Sequence, residues 1–432
     1  VAAPDGTDTV TNVENFKFAD GTFTAGGTLD VTPPLAATTT IASMSIDSGN
    51  PGDFVTNQAT VTVQGAYTGT LGSGEKFQVS ANGGSSWADA TAVSGVWFAT
   101  VTLSTGSGML STRTIDAAGN STGGASRAYT LDQSVDAPSF GLQQDTGALP
   151  NDGVTKVLTV VVGGLESGAT WQYSTDSGSN WNTGSGNTFD LGSNATYAVG
   201  QIRVRQTDLA GNLSAVTSNG APITVDTVDP AAPSFALDSD TGSSASDGYT
   251  SNGNISVSGL EGTATWQYST NGGASWTNGT ANSFGLGEGA YAVGQIQVRQ
   301  TDLAGNIGPV ISNGAAITID QTVDPPTFDL AADTGSSGSD RITSNGLINV
   351  FGLEAGGTWQ YSTNSGGSWT SGTGSSFVLG SNATYAAGTI QVRQTDKAGN
   401  PSTTTSNSSP SIVVDTTSPS AVVTGISQIV DD

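Results

Sequence analysis

One long sequence unit recurs almost unchanged, and this constrains the chain more than any other feature. TWQYST runs from Thr170 to Thr175, returns from Thr265 to Thr270, and returns again from Thr358 to Thr363. VRQTDxAGN occupies Val204–Asn212, Val298–Asn306 and Val392–Asn400, with a step of 94 residues each time. A segment ending in Asp closes each unit, at Asp132, Asp226, Asp320 and Asp415. Three close copies therefore cover 133–228, 229–322 and 323–416. A divergent copy fills 34–132 and keeps SANGGSSW (Ser80–Trp87) and IDAAGN (Ile115–Asn120). Residues 417–432 read as the start of a further copy, and 1–33 as a separate segment.

Inside a copy the apolar residues alternate. In the third, Phe235 and Leu237, Ile255 and Val257, Trp266 and Tyr268, Phe284 and Leu286, Ile296 and Val298, and Ile317 and Ile319 each flank a polar position. A period of two marks strands with one buried face. A unit near 94 residues is too long for a solenoid repeat, and about seven such strands suit an immunoglobulin-like sandwich of ~100 residues. The expected fold class is all-β, a linear array of immunoglobulin-like Greek-key β-sandwich domains. Tyr291, just before the Ile296 strand, sits where a tyrosine corner would lie. The recurring Trp and Tyr read as core.

Composition narrows the chemistry. Acidic residues number 36 against 11 Lys and Arg, for a net charge of −25. Nucleic acid needs a basic surface, so it is not an expected partner. With no Cys and no His, disulfides, thiol or imidazole metal sites, thiol nucleophiles and His-based triads are excluded. No stretch approaches the ~18 apolar residues of a membrane span. The sequence starts at Val1 without a signal peptide and reads as part of something longer. Carboxylates gathered in loops repel unless a cation neutralises them, and Ca²⁺ is the hard cation that oxygen ligands suit.

A Greek-key sandwich brings certain loops together at the end where the linker arrives. The F–G turn supplies Asp208 and Asn212, Asp302 and Asn306, and Asp396 and Asn400. The B–C loop supplies Glu166, Glu261 and Glu354 from its GLE motif. The linker brings Asp132 and Asp136, Asp226 and Asp229, and Asp320 and Asp324. Each junction thus gathers three or four oxygen donors, toward the ~6–8 that Ca²⁺ takes. A second acidic string lies in the A–B loop at the far end: Asp238, Asp240 and Asp247 in the third copy, Asp145 and Asp152 in the second, Asp333 and Asp340 in the fourth. It is expected to hold a second ion within the domain or one shared with the next linker. The same residues also make ordinary turns, since Asp caps a turn and Gly supplies positive φ.

The set DxDTGxxxxDxxT, SxxGGxSW, VRxTDxAGN and a closing TVDxxxPxxP linker resembles the bacterial Ig-like repeats of giant RTX, Bap-type biofilm adhesins, over about 34–432. The resemblance implies an extracellular or cell-surface stalk, secreted by a type I route, whose junction calcium ions stiffen a string of domains that projects a distal binding module. The partners it implies are calcium ions and neighbouring repeats of the same chain, with lateral self-association also open. The first copy departs from the pattern, reading IDSGNPGDFVTN at Ile46–Asn57 and VQGAYTG at Val63–Gly69 where the others carry GLE. Its incoming junction is therefore the expected exception. At the start, Gly6–Phe23 resembles the closing strands of an RTX haemolysin-type β-roll, with Asp8, Val13, Phe16 and Phe18 matching and the glycine-rich nonapeptides absent.

Two other classes compete. STDSGSNW (Ser174–Trp181) fits the Asp-box of sialidase propellers. That motif is a hairpin turn rather than a catalytic element, and no blade period of ~40–50 residues accompanies it. No enzyme is expected. A carbohydrate-binding module would need an exposed aromatic platform, for which Trp97 is the candidate. A surface-layer or matrix filament built from calcium-dependent Ig-like domains would use the same domains with lateral contacts. Near-identity of three copies favours a spacer, which needs repeated geometry.

Overall fold

The structure, a computed structural model, describes residues 15–18, 21–24, 30–35 and 37–420, with side chains from residue 30 onward. Every regular element among the described residues is a strand, and among them no helix is long and apolar enough to cross a membrane. The fold is all-β, a tandem series of immunoglobulin-like sandwiches. The chain divides into two compact units, Val1–Thr227 and Val228–Asp432.

In the first unit, Asn15–Phe18 and Gly21–Thr24 form a hairpin with Phe16 opposite Phe23. Asp8 and Val13, of the proposed β-roll likeness, lie outside the described residues. The sandwich that follows has two five-stranded sheets. One contains Thr60–Thr68 beside Val96–Thr102, and the other contains Lys76–Ser80, Gly106–Ile115 and Ser121–Leu131. Between them Phe54, Val63, Phe77, Trp97 and Leu110 form the core.

The three close copies share a different strand plan, seen in the third. Ser234–Leu237, Asn254–Ser258 and Ser283–Gly285 form one three-stranded sheet. Tyr249–Thr250, Ile317–Ile319 and Gly289–Tyr291 form a second, in which Ile317–Ile319 runs parallel to Tyr249–Thr250 and antiparallel to Gly289–Tyr291. Thr277–Asn278, Thr265–Ser269, Gln297–Thr301 and Ile311–Ser312 form a four-stranded third. The copy thus holds ten short strands in place of the expected seven or so. The long acidic loop after Leu237 ends in a short strand of its own. The loop 313–316, with Gly314, separates Ile311–Ser312 from Ile317–Ile319. The closing strand Ile317–Ile319 leaves the Val298 strand and pairs with the Tyr291 strand instead.

The alternating residues fill the core as their period requires. Ile255, Val257, Trp266, Ile296, Val298 and Ile319 are buried in the third copy, and their counterparts are buried in the second and fourth. Trp266 stands 6.1 Å from Phe284, on which Tyr268 stacks at 4.2 Å, and the indole N–H of Trp266 donates to the Ala281 carbonyl at 2.9 Å. A buried indole with its donor satisfied combines large apolar burial with no polar penalty. The tyrosine before the Ile296 strand does bond back to the backbone upstream. Tyr291 donates to the Gly287 carbonyl at 3.1 Å, and Tyr385 accepts from the Gly380 N–H at 2.9 Å.

Candidate metal centres

The turn between the VRQT strand and the next is built by its own aspartate. Asp396 Oδ1 accepts from the Asn400 N–H at 2.7 Å, and its Oδ2 accepts from the Asn400 side-chain amide at 2.6 Å. Asn400 Nδ2 also reaches the carbonyl of Asp320, at 2.7 Å, and so ties the turn to the incoming linker. The second copy repeats this with Asp208, Asn212 and the Asp132 carbonyl. In the first, divergent copy Asn120 holds the carbonyl of Asp30 in the same way.

A buried glutamine fixes the loop that carries the glutamate. Gln394 Nε2 donates to the carbonyls of Asp324 and Gly352, at 2.7 and 2.9 Å, while its Oε1 accepts from the Glu354 N–H at 2.9 Å. Gln206 makes the equivalent three bonds, and Gln206, Gln300 and Gln394 are all buried. Sequence reasoning passed over these glutamines. The signal was present in the alternation of V-R-Q-T, which points the glutamine inward with the valine. In the first copy Thr114 takes this place, and the loop after the Thr60–Thr68 strand carries its glutamate, Glu75, only at its far end, where the carboxylate accepts from the Gly72 N–H.

These supports bring three carboxylates together. In the first unit, oxygens of Asp132, Glu166 and Asp208 all lie within 4.8 Å of one another, and in the second unit Asp320, Glu354 and Asp396 do the same. Asp208 and Asp396 are buried, and the other four are partly so. Like charges this close repel by on the order of 1–4 kcal/mol per pair, depending on the local dielectric. The ion pairs Lys76–Asp89, Arg341–Asp329 and Lys397–Asp247 involve none of the trio carboxylates. An all-oxygen donor set of three carboxylates suits a hard divalent cation.

Other expected ligands are placed differently. Asp136 and Asp324 are exposed, and each contributes its backbone: the N–H donates to Glu166 or Glu354, and the carbonyl accepts from the buried glutamine. Asp302 and Asn306 make the same clasp as the other turns. The Glu261 N–H donates to Gln300 at 2.9 Å. Asp226 follows Ile223–Val225, the last strand of the first unit, its N–H bonded to the Thr155 carbonyl, and Asp229 is exposed.

In the A–B loop the aspartates organise backbone. Asp240 Oδ2 accepts from the Gly248 N–H at 2.9 Å, and Asp247 Oδ1 from the Tyr249 N–H at 3.1 Å. That N–H, and then the Lys397 ammonium, hold the Asp247 carboxyl below the usual carboxylate range. Asp145 with Asp152, and Asp333 with Asp340, repeat the pattern. Asp238 is exposed and accepts the Ser256 hydroxyl. The second oxygen of Asp47, Asp145, Asp240 and Asp333 is buried with no hydrogen-bond partner. A buried carboxylate oxygen left bare is costly, and the same atom is bare in all four sandwiches.

The aromatic residues offer no open platform at the positions considered. Trp97 is fully buried, which removes it as a sugar-stacking surface. The half-buried Trp87, Trp181, Trp276 and Trp369 each carry a guanidinium over the ring, from Arg113, Arg205, Arg299 and Arg393 at 3.9–4.2 Å. Each arginine is held in place by two bonds to a glutamine, as Arg205 is by Gln172.

No protein-family model matches this chain, and no curated protein does. Solved structures do. One, from a study of how a 1.5-MDa bacterial ice-binding adhesin is retained at the host cell surface, is 20% identical, with a TM-score of 0.30; the match covers 67% of this chain and 99% of that one. The fibronectin(III)-like modules of Clostridium thermocellum CbhA are 12% identical, covering 44% of this chain and 95% of that one with a TM-score of 0.25. A BSP domain of a biofilm associated protein is 11% identical, covering 88% and 97% with a TM-score of 0.17.

Proposed function

We propose that this chain is a structural spacer: the calcium-rigidified extender of a secreted or cell-surface bacterial adhesin, with domains at 34–132, 133–228, 229–322 and 323–416. The observation that carries the reading is the recurrence of one carboxylate trio at a fixed interval. Asp132, Glu166 and Asp208 each reappear 188 positions later (132 to 320, 166 to 354, 208 to 396) as Asp320, Glu354 and Asp396. A binding site for one target needs one special domain, whereas a spacer needs the same joint again and again. Each trio joins a linker aspartate to two loops of the following sandwich, so a bound Ca²⁺ would tie the linker down and stabilise the folded joint by mass action. The bare buried oxygens of Asp145, Asp240 and Asp333 support a second cation position in the A–B loop.

The capped tryptophans and the buried Trp97 weigh against a carbohydrate-binding module. The direct test is calorimetric titration of the whole chain with Ca²⁺, beside Glu166→Gln and Glu354→Gln. The reading expects saturable binding that weakens in each variant. Titration heats that match buffer dilution, or binding unaltered by both substitutions, would overturn it.

A further inference from the structure

Within each unit, the acidic loop of the first sandwich touches the turn of the second through groups other than the trio carboxylates. In the second unit Thr241 donates its hydroxyl to the Ala398 carbonyl at 2.6 Å. Gly242 lies so close to that turn that a Cβ there would fall 2.2 Å from the Lys397 carbonyl oxygen. A Cβ on Gly399 would fall 2.9 Å from the Gly242 nitrogen. Both glycines have positive φ, 97° and 95°, so both sequence motifs, DTG and AGN, use glycine to let two backbones meet. In the first unit Ser48 donates to the Ala210 carbonyl at 2.5 Å, and a Cβ on Gly49 would fall 2.1 Å from the Leu209 oxygen. This is a head-to-tail contact between unlike surfaces, the kind that can be repeated from one domain to the next.

The second unit adds a clamp. Lys397 stands where the second and third copies carry Leu209 and Leu303. Its ammonium lies 3.3 Å from Asp247 Oδ2 and 3.3 Å from the Tyr249 ring centroid, so one cation meets a carboxylate and an aromatic face of the preceding sandwich at once.

We propose that the Asp-Thr-Gly loop of one sandwich and the Ala-Gly turn of the next form a latch made of protein groups alone, and that Lys397 makes the latch between the third and fourth sandwiches the one that holds when divalent cations are removed. The first pair, held by Ser48 without a lysine, is the one that loosens. This goes beyond the calcium reading and does not depend on it.

The chain has no Cys, so paired spin labels can be placed at will on the whole 432-residue chain. Exposed Thr277 and Thr370 report on the last pair, and exposed Thr91 and Asn182 on the first. In excess chelator the Thr277–Thr370 pair is expected to give one narrow distance distribution and the Thr91–Asn182 pair a broad one. Lys397→Leu combined with Gly242→Ala should turn the narrow distribution broad. Gly335→Ala is the control. Gly335 is the matching glycine of the fourth sandwich, with φ of 115°, and a Cβ there would meet no atom closer than 3.9 Å. The substitution imposes the same backbone strain outside any latch, and the distribution should stay narrow. A broad Thr277–Thr370 distribution in the unsubstituted protein under chelator would overturn the latch, as would equal broadening by Gly335→Ala. Should Ca²⁺ change neither binding heats nor distances while the chelator result holds, the calcium reading fails and the latch stands.

Discussion

Gln394 shows how one polar side chain can set a joint. It satisfies two carbonyls and one N–H from two separate segments, the linker and the Gly352–Glu354 loop, while fully enclosed. Gln394→Leu would keep the bulk and strand those three groups, at roughly 1–3 kcal/mol for each that water cannot reach. A chemical-denaturation series should report a loss on the order of 3 kcal/mol, with the Glu354 loop losing amide protection first. Glu354→Gln is predicted to act with opposite signs in two buffers. In Ca²⁺ it removes a ligand and lowers the melting temperature; in chelator it relieves repulsion worth on the order of 1 kcal/mol per close pair and raises it. Melts of both proteins in both buffers check this. The acids of the trios were legible in the sequence because Asp and Glu recur at fixed offsets beside turn glycines. The glutamine was not, because an inward polar residue is recognisable only once the strand's facing is known. Asp136 and Asp324 contribute backbone groups to the joint, which no side-chain pattern reveals.

At the scale of the element, the hairpin after the TWQYS strand is held by its third-position side chain. In the second copy Asp176 accepts from the Asn180 N–H, the Asn180 amide and the Ser174 hydroxyl, and these bonds, led by that N–H, pull its carboxyl down to about 2. A pKa below the unfolded value contributes stability that is complete above the unfolded value of 3.8 and is lost as pH falls toward about 2. Asn271 and Asn364 accept the matching N–H bonds in the other copies without a charge. Asp176→Asn should therefore lower stability at neutral pH, because the neutral amide gives up the charge-assisted bonds and sets its own NH2 against the Asn180 amide, and should remove part of the acid sensitivity. Unfolding midpoints between about pH 4 and pH 2 for both proteins measure it. The strands themselves were legible from alternation around Ile255, Trp266 and Val298. Their number was not: the split of the last run, and the pairing of Ile317 with Tyr291, depend on which edges are left open after the rest of the sandwich has formed.

For the whole molecule, the repeat does most of the explaining. Three closely similar sandwiches, short linkers and one carboxylate trio per unit are the features from which the proposed spacer is expected to have a mechanical state that depends on the free cation concentration. The net charge of −25 makes bare joints unfavourable for one another as well as within themselves. Small-angle scattering of this chain in millimolar Ca²⁺ and then in excess chelator, with a thermal melt in each buffer, tests the central claim most directly. The account predicts a larger maximum dimension and a higher melting temperature with Ca²⁺, and a shorter, more flexible chain with a lower one after chelation, the bending concentrated at joints that lack a lysine. Scattering profiles and melts that superimpose in the two buffers would contradict it and leave a string of sandwiches whose joints owe nothing to calcium.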